Sequence, residues 1–368
     1  MAKDLVDSVF FPGKLFSHLR MTDWLRGKLV YPITHELGPS GPGNCNNACP
    51  MCLHGSYYNT KATMAFETYK RLMDELTSYE AQGLGEDVNA RGMIFSSSGE
   101  PTMNPRILDF IEYTKSKRVD LALITNGSNW RRIDGLAETV LKHVSWTRTS
   151  LDAGSNETRR KTHGVGDYDK VIESLGMLAE AKKRMGSECQ IGAQITVSED
   201  NWMDIIQATN DVSKVGIDYF QIKPVVYHAK DPRGQLPREF WEKVLPVAET
   251  AERAFDRDDF KVWVKYDQFG AIMKSDHDKG AYTSCLAHIW PVIEADGRVF
   301  HCSQTRGMPE FEIGDLNKQT FKEIWESKKR QEINEGIKVE ECTPVCRCHW
   351  DNKVLNSVRG KKHAPNFT

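Results

Sequence analysis

The chain has 368 residues, of which 39% are hydrophobic and 10% aromatic, a composition that supports a buried core and excludes a disordered chain. Its 49 Lys and Arg against 51 Asp and Glu give a formal net charge of −2, so charge does not indicate nucleic acid or an anionic membrane as a partner. No segment approaches the ~20 apolar residues of a membrane span. The N-terminal sequence lacks the layout of a secretory signal, which favours a cytoplasmic protein.

After residues 1–27, short β-type segments alternate with amphipathic helical patterns. Six such β–α units in series predict parallel strands with right-handed crossovers. We therefore expect an α/β fold, a partial (β/α)6 TIM-like barrel with its active site at the C-terminal ends of the strands. A doubly wound sheet is the alternative. The predicted strands are 28–36, 91–98, 119–126, 144–150, 190–198 and 217–225, and the predicted helices are 66–82, 105–117, 131–142, 168–184, one beginning at Asn201, and 238–254.

The regular alternation ends near residue 260. A strand over 261–266, a hairpin-like stretch around Gly297 and a helix over 321–328 follow it. The predicted domains are thus an N-terminal extension over 1–27, the barrel over 28–257, and a smaller C-terminal domain with its tail over 258–368.

The nine cysteines carry most of the information on function. An odd number in clusters does not fit a secreted disulfide framework and points to metal or iron–sulfur chemistry. Cys45, Cys49 and Cys52 form a C-x3-C-x2-C loop directly after the first strand. Three thiolates in one loop can hold three irons of a 4Fe–4S cluster and leave the fourth iron open to a small ligand. The alternative is zinc bound by these thiolates and a histidine, His35 or His54.

This loop, with Ser98-Gly99-Glu100-Pro101 after the second strand and Thr125-Asn126-Gly127 after the third, resembles that of the radical S-adenosylmethionine (SAM) superfamily over roughly residues 28–225. The resemblance implies SAM and a 4Fe–4S cluster as cofactors. It also implies a set of SAM contacts near the amino, carboxylate, ribose and adenine groups: Met51, Ser98, Gly99, Glu100, Asn126, Arg148, Ser150, Asp152, Val197 and Ser198, with Asn201 just beyond. Met51 departs from the family's usual aromatic residue, and Ser98 from its usual glycine.

Each of these positions also has a purely structural explanation. Glu100 fits an acidic residue at a helix N-terminus, and Asn126-Gly127 fits an ordinary turn. Ser150 and Asp152 suit caps of the following segment, and Arg148 suits a surface ion pair. The recurrence of polar residues at the ends of successive strands favours the functional interpretation.

The second cysteine group begins with Cys285 and Cys302 in the pattern C-x11-G-x4-C, which resembles the opening of the SPASM/Twitch extension of radical SAM enzymes. A full SPASM domain has seven cysteines, and the five here suit the shorter Twitch type with one auxiliary 4Fe–4S cluster. The implied ligands are Cys285, Cys302, Cys342 and Cys346. Cys348 is an alternative ligand or a spare thiol that donates a hydrogen atom. A structural zinc site is the alternative, and Cys189 is predicted to be a buried core thiol.

The resemblance implies reductive cleavage of SAM to a 5′-deoxyadenosyl radical that abstracts a hydrogen atom from the substrate. An electron donor such as flavodoxin or ferredoxin is expected as a partner. We expect a small polar metabolite (a sugar, aminocyclitol or nucleoside), with dehydrogenation or epimerisation as the reaction, because only about 27 residues precede the first strand and leave no domain for a leader peptide. The expected substrate contacts are Lys223, His228, Tyr266 and Asp267.

Two other classes of function remain open. One is a peptide-modifying or nucleotide-cyclising radical SAM enzyme. The other is not an enzyme: an iron–sulfur electron carrier or a zinc-stapled binding protein. A carrier needs neither an open iron nor Glu100 and the polar strand ends, so cleavage of SAM separates it from the enzymes.

Overall fold

The computed structural model describes residues 17–52, 58–96, 98–227, 233–273, 282, 285, 290–342, 346 and 349–359. Its strands are β1 Thr34–Leu37, β2 Gly92–Phe95, β3 Asp120–Thr125, β4 Trp146–Ser150, β5 Gln190–Val197, β6 Tyr219–Pro224, β7 Lys261–Val264, β8 Val292–Ile293, β9 Arg298–Phe300 and β10 Glu312–Asp315. Its helices are α1 Arg20–Leu25, α2 Phe66–Leu76, α3 Ile107–Ser116, α4 Leu136–His143, α5 Asn156–His163, α6 Tyr168–Met185, α7 Ile205–Lys214, α8 Arg238–Phe255, α9 Tyr266–Met273, α10 Phe321–Glu326, α11 Lys328–Glu335 and α12 His349–Arg359.

Strands β1 to β7 lie side by side in sequence order, and every neighbouring pair is parallel. A doubly wound sheet reverses its strand order at a switch point, so this order excludes that alternative and confirms the partial TIM-like barrel. Strand β7 extends the six predicted parallel strands to seven. The C-terminal ends of all seven therefore meet at one edge of the sheet, which we call the barrel mouth.

Strand β5 shows how sequence alternation places the polar residues. Ile191, Ala193, Ile195 and Val197 are fully buried in the apolar core. The residues between them face the other side of the sheet, where Gln194 pairs in register with Gln221 and Thr196 with Lys223. One face of the sheet thus packs on helices, and the other presents polar side chains.

Several element bounds differ from those that the sequence predicts, and some helices were not predicted. Strand β1 begins at Thr34 rather than residue 28, because Pro32 has no N–H for a ladder and its carbonyl accepts from Arg20. Helix α5 was not predicted at all. Its sequence NETRRKTH carries no apolar stripe, although Ser155 caps it through the Thr158 N–H and Gly164 ends it at φ 74°, as N-cap and C′ preferences allow.

The C-terminal segment continues the barrel sheet. Strand β8 pairs in parallel with β1, and β9 and β10 follow in antiparallel order. Helix α10 begins at a Thr320/Glu323 capping box, and its first N–H groups, at Phe321 and Lys322, donate to the Glu75 carboxylate on α2. The predicted domain boundaries stay predictions. Among the described helices, none is both long and apolar enough to cross a membrane.

Candidate functional site

The Cys45–Cys52 loop lies at the end of β1. A 3₁₀ turn over Pro42–Asn44 leads into Cys45, and the three cysteines are half-buried. Burial raises the pKa of the Cys45 thiol to about 11 and raises the pKa of the Cys49 thiol further. Without metal these thiols are neutral, so metal binding releases protons.

Helix α5 holds the middle of this loop. The Ala48 N–H donates to the His163 carbonyl at 2.9 Å, and the Asn47 amide nitrogen lies 2.9 Å from His163 Nδ1. Cys49 Sγ lies 3.6 Å from the same nitrogen. On its other side, His163 Nε2 lies 3.1 Å from Asp152 Oδ2. Burial, followed by the nearby Arg159 charge, lowers the pKa of His163.

The Ser98-Gly99-Glu100 turn packs directly on the chain that enters the loop. A Cβ on Gly99 would lie 2.3 Å from the Gly41 carbonyl oxygen, so only glycine fits there. Glu100 is buried, and its Oε1 accepts from the Thr102 hydroxyl and the Thr125 hydroxyl at 2.6 Å each. Burial raises the pKa of this carboxyl group, against the hydrogen bonds that oppose the shift.

The end of β3 is bound to three other parts of the mouth. The Asn126 N–H donates to Glu100 Oε2 at 2.7 Å, and its amide nitrogen donates to Asn46 Oδ1 at 2.7 Å. The Asn126 carbonyl accepts from Arg159 at 2.7 Å. Arg159 is fully buried on α5 and also donates to the Ser150 and Leu151 carbonyls at the end of β4.

The ends of β4 and β5 are joined through Asp152. This residue has φ 49°, and its Oδ1 accepts from the Thr196 N–H at 2.5 Å. Asn201 donates to the Asp152 carbonyl at 3.0 Å and accepts from the Ser198 N–H at 2.8 Å. The Val197 side chain lies in the apolar core and offers no polar group to the mouth.

The other predicted SAM contacts lie near the same edge. Arg148 donates to Gln221 Oε1 at 3.0 Å, and Ser150 accepts from Gln194 at 3.2 Å. Met51 is half-buried and packs against the core. The structure thus places the predicted set around one mouth, while the contact of each residue with SAM stays a prediction.

The predicted substrate contacts are placed differently from one another. Lys223 is half-buried on the polar face beside Thr196. Asp267 is exposed in the first turn of α9. The Tyr266 hydroxyl donates to Glu252 on α8, so its polar group is engaged on the outer helix layer. His228 and Cys348 lie outside the described residues.

The second cysteine group gathers around Tyr282. Burial raises the pKa of the Tyr282 phenol, and Cys346, Cys285 and Cys342 contribute to the shift through their charges. Burial also raises the pKa of Cys302, again with a contribution from Cys346. That Cys285, Cys302, Cys342 and Cys346 bind one cluster stays a prediction. The Asn352 Nδ2 atom also lies 3.9 Å from Cys285 Sγ, which is a polar contact to this cysteine group.

The positions of the candidate cysteine and histidine ligands show whether they could bind a single zinc ion. In the described part of the chain, no three His, Cys, Asp or Glu side chains converge on a point as one metal ion requires. The zinc alternative with His35 does not fit, because His35 is buried against the Phe321 ring with centroids 5.1 Å apart. His54 lies outside the described residues. A cubane binds each thiolate at a separate iron, which suits three thiols spread along one loop.

No sequence pattern indicated two residues of this site, Arg159 and His163. Both lie on α5, and the signal that could have revealed them is the pair of helix ends at Ser155 and Gly164. Cys189 is buried in the core at the start of β5, at the opposite edge of the sheet from the mouth.

Two family models match the chain. A model described as the radical SAM superfamily matches residues 41–221, and SPASM, described as an iron–sulfur cluster-binding domain, matches residues 285–349. The first span contains the Cys45–Cys52 loop and the second contains the C-terminal cysteine group. These matches confirm SAM and a 4Fe–4S cluster as cofactors, with auxiliary iron–sulfur binding at the C-terminal end.

The chain is also similar to individual proteins, one in sequence and two in structure. The tungsten-containing aldehyde ferredoxin oxidoreductase cofactor-modifying protein of Pyrococcus furiosus is 18% identical over 310 residues, 77% of this chain and 79% of the relative. Native anSMEcpe with bound AdoMet and Cp18Cys peptide has a TM-score of 0.58 at 18% identity and covers 88% of both chains. Streptococcus suis SuiB bound to precursor peptide SuiA has a TM-score of 0.61 at 14% identity, covering 86% of this chain and 68% of SuiB.

Proposed function

Because the chain belongs to the radical SAM superfamily and carries a C-terminal iron–sulfur cluster-binding domain, we propose that it is an enzyme that abstracts a hydrogen atom from a substrate bound at the barrel mouth. Cys45, Cys49 and Cys52 hold the SAM-binding 4Fe–4S cluster. When bound and reduced, this cluster supplies the electron that cleaves SAM to methionine and a 5′-deoxyadenosyl radical.

One observation carries this proposal. A single hydrogen-bonded network joins the cysteine loop to the ends of β2, β3 and β4 through Asn46, Asn126, Glu100, Arg159 and His163. The network consists of side-chain and backbone groups of the chain itself, which hold the strand ends and the cysteine loop in fixed relative positions. An electron carrier has no need of such an arrangement beside its cluster.

The residues of the mouth have separate roles in this proposal. Gly99 and Glu100 form the turn that receives the SAM amino group. Arg148, Ser150 and Asp152 lie toward its carboxylate and ribose, and Ser198 lies toward its adenine end. Lys223, on the polar face, contacts the substrate. The protein's task is to place one substrate C–H bond beside the radical and to exclude water.

We propose a peptide side chain as the substrate class, in place of the small polar metabolite that the sequence favours. Two proteins with the same fold, SuiB and anSMEcpe, bind peptides in their solved structures. Cys285, Cys302, Cys342 and Cys346 would hold one auxiliary 4Fe–4S cluster, which would supply an acceptor for the electron left on an oxidised side chain.

Anaerobic reconstitution tests the radical SAM activity. The protein is loaded with iron and sulfide, reduced with dithionite and given SAM, and 5′-deoxyadenosine is measured by chromatography. We expect production by the wild type, loss in Cys45→Ala, and retention in Cys189→Ala, which removes a core thiol outside both cysteine groups. Clusters without any 5′-deoxyadenosine would favour the electron carrier, and tight zinc without a cluster would refute the proposal.

The substrate class is tested with an unfractionated cell extract, which retains both peptides and small metabolites. Extract that contains the substrate should raise the rate of 5′-deoxyadenosine formation above the substrate-free rate. Treating the extract with a protease, and then inactivating the protease, should abolish this stimulation if the substrate is a peptide. Stimulation that survives protease treatment would assign the substrate to small metabolites.

A further inference from the structure

His163 is placed to act on the SAM-binding cluster, although no sequence motif marks it. It is 2% exposed at the last position of α5. Its backbone and its ring both contact the two residues that precede Cys49. The Ala48 N–H donates to its carbonyl at 2.9 Å, and the Asn47 amide nitrogen lies 2.9 Å from Nδ1.

The surroundings of the ring fix which nitrogen carries the proton. Nε2 lies 3.1 Å from the Asp152 carboxylate, which only accepts, so Nε2 is the donor. Nδ1 is then the acceptor for the Asn47 amide, and it faces Cys49 Sγ at 3.6 Å. Asp152 is itself held by the Thr196 N–H, so the ring has a fixed support behind it.

The close approach of helix and loop depends on the residue that follows. Gly164 has φ 74°, and a Cβ there would lie 3.0 Å from the Ala48 Cβ. Glycine therefore both ends α5 and lets its last turn contact the loop. The contact is a built feature of the fold, supported from β4, β5 and α5 together.

We propose that His163 is a positioning residue for the SAM-binding cluster, which fixes the Asn47–Cys49 segment and sets the reduction equilibrium of the cluster through the ring edge beside the Cys49 sulfur. This inference rests on the proposed function, since it requires that Cys49 ligate the cluster. Groups that face a cluster sulfur in a buried site change the energy of the added electron. An electron-rich Nδ1 facing the sulfur disfavours that electron.

Two substitutions separate the two ends of the ring. His163→Gln keeps an N–H for Asp152 and withdraws the acceptor from Asn47 and Cys49. His163→Asn keeps an acceptor near the Nδ1 position and withdraws the N–H. His143→Gln serves as the matched control, because His143 is in the last turn of α4, at the edge of the sheet opposite to the mouth.

The readouts are the midpoint potential and electron paramagnetic resonance signal of the cluster that responds to SAM, and the rate of iron loss to a chelator. The auxiliary cluster, which does not respond to SAM, is the internal reference. For His163→Gln we expect the midpoint potential of the SAM-responsive cluster to rise by about 59 mV, which corresponds to a tenfold change in a one-electron reduction equilibrium. We expect iron loss to the chelator to become about 10-fold to 100-fold faster. His163→Asn and His143→Gln should stay close to the wild type.

An unchanged potential and signal in His163→Gln would overturn the inference, and so would an equal shift in His163→Asn, which would indicate a general loss of packing. Failure of the proposed function gives a different result. In that case the wild-type protein itself would hold no cluster that responds to SAM.

Discussion

Polar residues at the barrel mouth hydrogen-bond to one another. Glu100 accepts from Thr102, Thr125 and Asn126, so its carboxylate ties the end of β2 to the end of β3. A buried carboxylate is stable only with such partners. The structural and functional interpretations of Glu100 are therefore compatible, since the same hydrogen bonds that satisfy it also fix the turn that we propose as the SAM-binding turn.

Replacement of Gly99 by alanine tests the close approach at this turn. A Cβ would lie 2.3 Å from the Gly41 carbonyl oxygen, so the turn and the cysteine loop must move apart. We expect Gly99→Ala to lower the free energy of unfolding by ~1–3 kcal/mol and to weaken SAM binding in titrations. Gly270→Ala is the control, because its Cβ meets nothing within 4 Å. Wild-type SAM affinity in Gly99→Ala would contradict the prediction.

Glu294 makes the stability of the folded protein depend on pH. It is 0% exposed, and burial raises its pKa to about 7, although the Arg306 charge opposes the shift. Between pH 4.5 and about pH 7, the folded state keeps the proton of the Glu294 carboxyl group, whereas the unfolded state has released it. Between these two values the unfolded state therefore binds fewer protons, and stability falls as pH rises, by up to ~1.4 kcal/mol per pH unit.

Glu294→Gln should remove this pH dependence, because glutamine imitates the protonated carboxyl group. The measurement is the denaturant midpoint of each protein at about pH 5 and about pH 8. We expect the variant to lose less stability than the wild type between these two conditions. Glu332→Gln changes an exposed carboxylate and should behave as the wild type does. Parallel profiles for wild type and Glu294→Gln would show that Glu294 does not titrate in this range.

At the scale of elements, helix α5 connects the ends of β3 and β4 to the cysteine loop. Its N-terminus is capped by Ser155, Arg159 holds the carbonyls at the ends of β3 and β4, and His163 holds the cysteine loop. An almost entirely polar helix gains little from an apolar face. It is stable here because its buried side chains satisfy carbonyls that the strands leave open.

Arg159→Met tests this role of α5. The substitution keeps an unbranched side chain but leaves Asp167 and three backbone carbonyls without their donor. Removing one partner of a buried ion pair costs about 3–5 kcal/mol, so we expect a large fall in the urea unfolding midpoint. Arg160→Met, on the exposed side of the same helix, should change stability by no more than ~0.5 kcal/mol. Equal stability of the two variants would refute this role.

At the scale of the whole molecule, the C-terminal segment closes one edge of the barrel sheet. Strand β8 covers the edge of β1, and Arg306 lies within ion-pair distance of both Glu36 on β1 and Glu294 after β8, at 2.5 Å and 2.8 Å. The Ser98 hydroxyl also donates to Glu294 at 3.3 Å. The loop that follows Cys302 is thereby connected to the turn that precedes Glu100.

Removal of residues 274–368 tests this closure. The shortened chain exposes the edge of β1 and leaves Glu36 buried without Arg306, so we expect a loss of cooperative unfolding and rapid proteolysis. The measurement is thermal unfolding and limited proteolysis beside the full chain. A shortened chain that unfolds cooperatively near the wild-type midpoint would show that residues up to 273 form an independent domain.

The sequence alone determined the features that depend on short stretches of chain. Cysteine spacing predicted an iron–sulfur or zinc site, because three thiolates in one loop need no distant partner. Alternating strands and helices predicted a parallel α/β fold, because each periodicity is local, and left the partial barrel and the doubly wound sheet as alternatives. Met51, Ser98 and Gly99 could be proposed because the short motifs that contain them resemble those of the radical SAM superfamily.

Tertiary structure decided the contacts between distant residues. The pairing of β8 with β1, the ion pairs of Arg306 with Glu36 and Glu294, and the approach of His163 to Cys49 each join residues far apart in the chain. No local sequence pattern predicts these contacts, because they depend on strand order, on register and on the angle between β4 and α5. The sequence therefore indicated which chemistry the mouth holds, and the order and register of the strands decided which side chains support it.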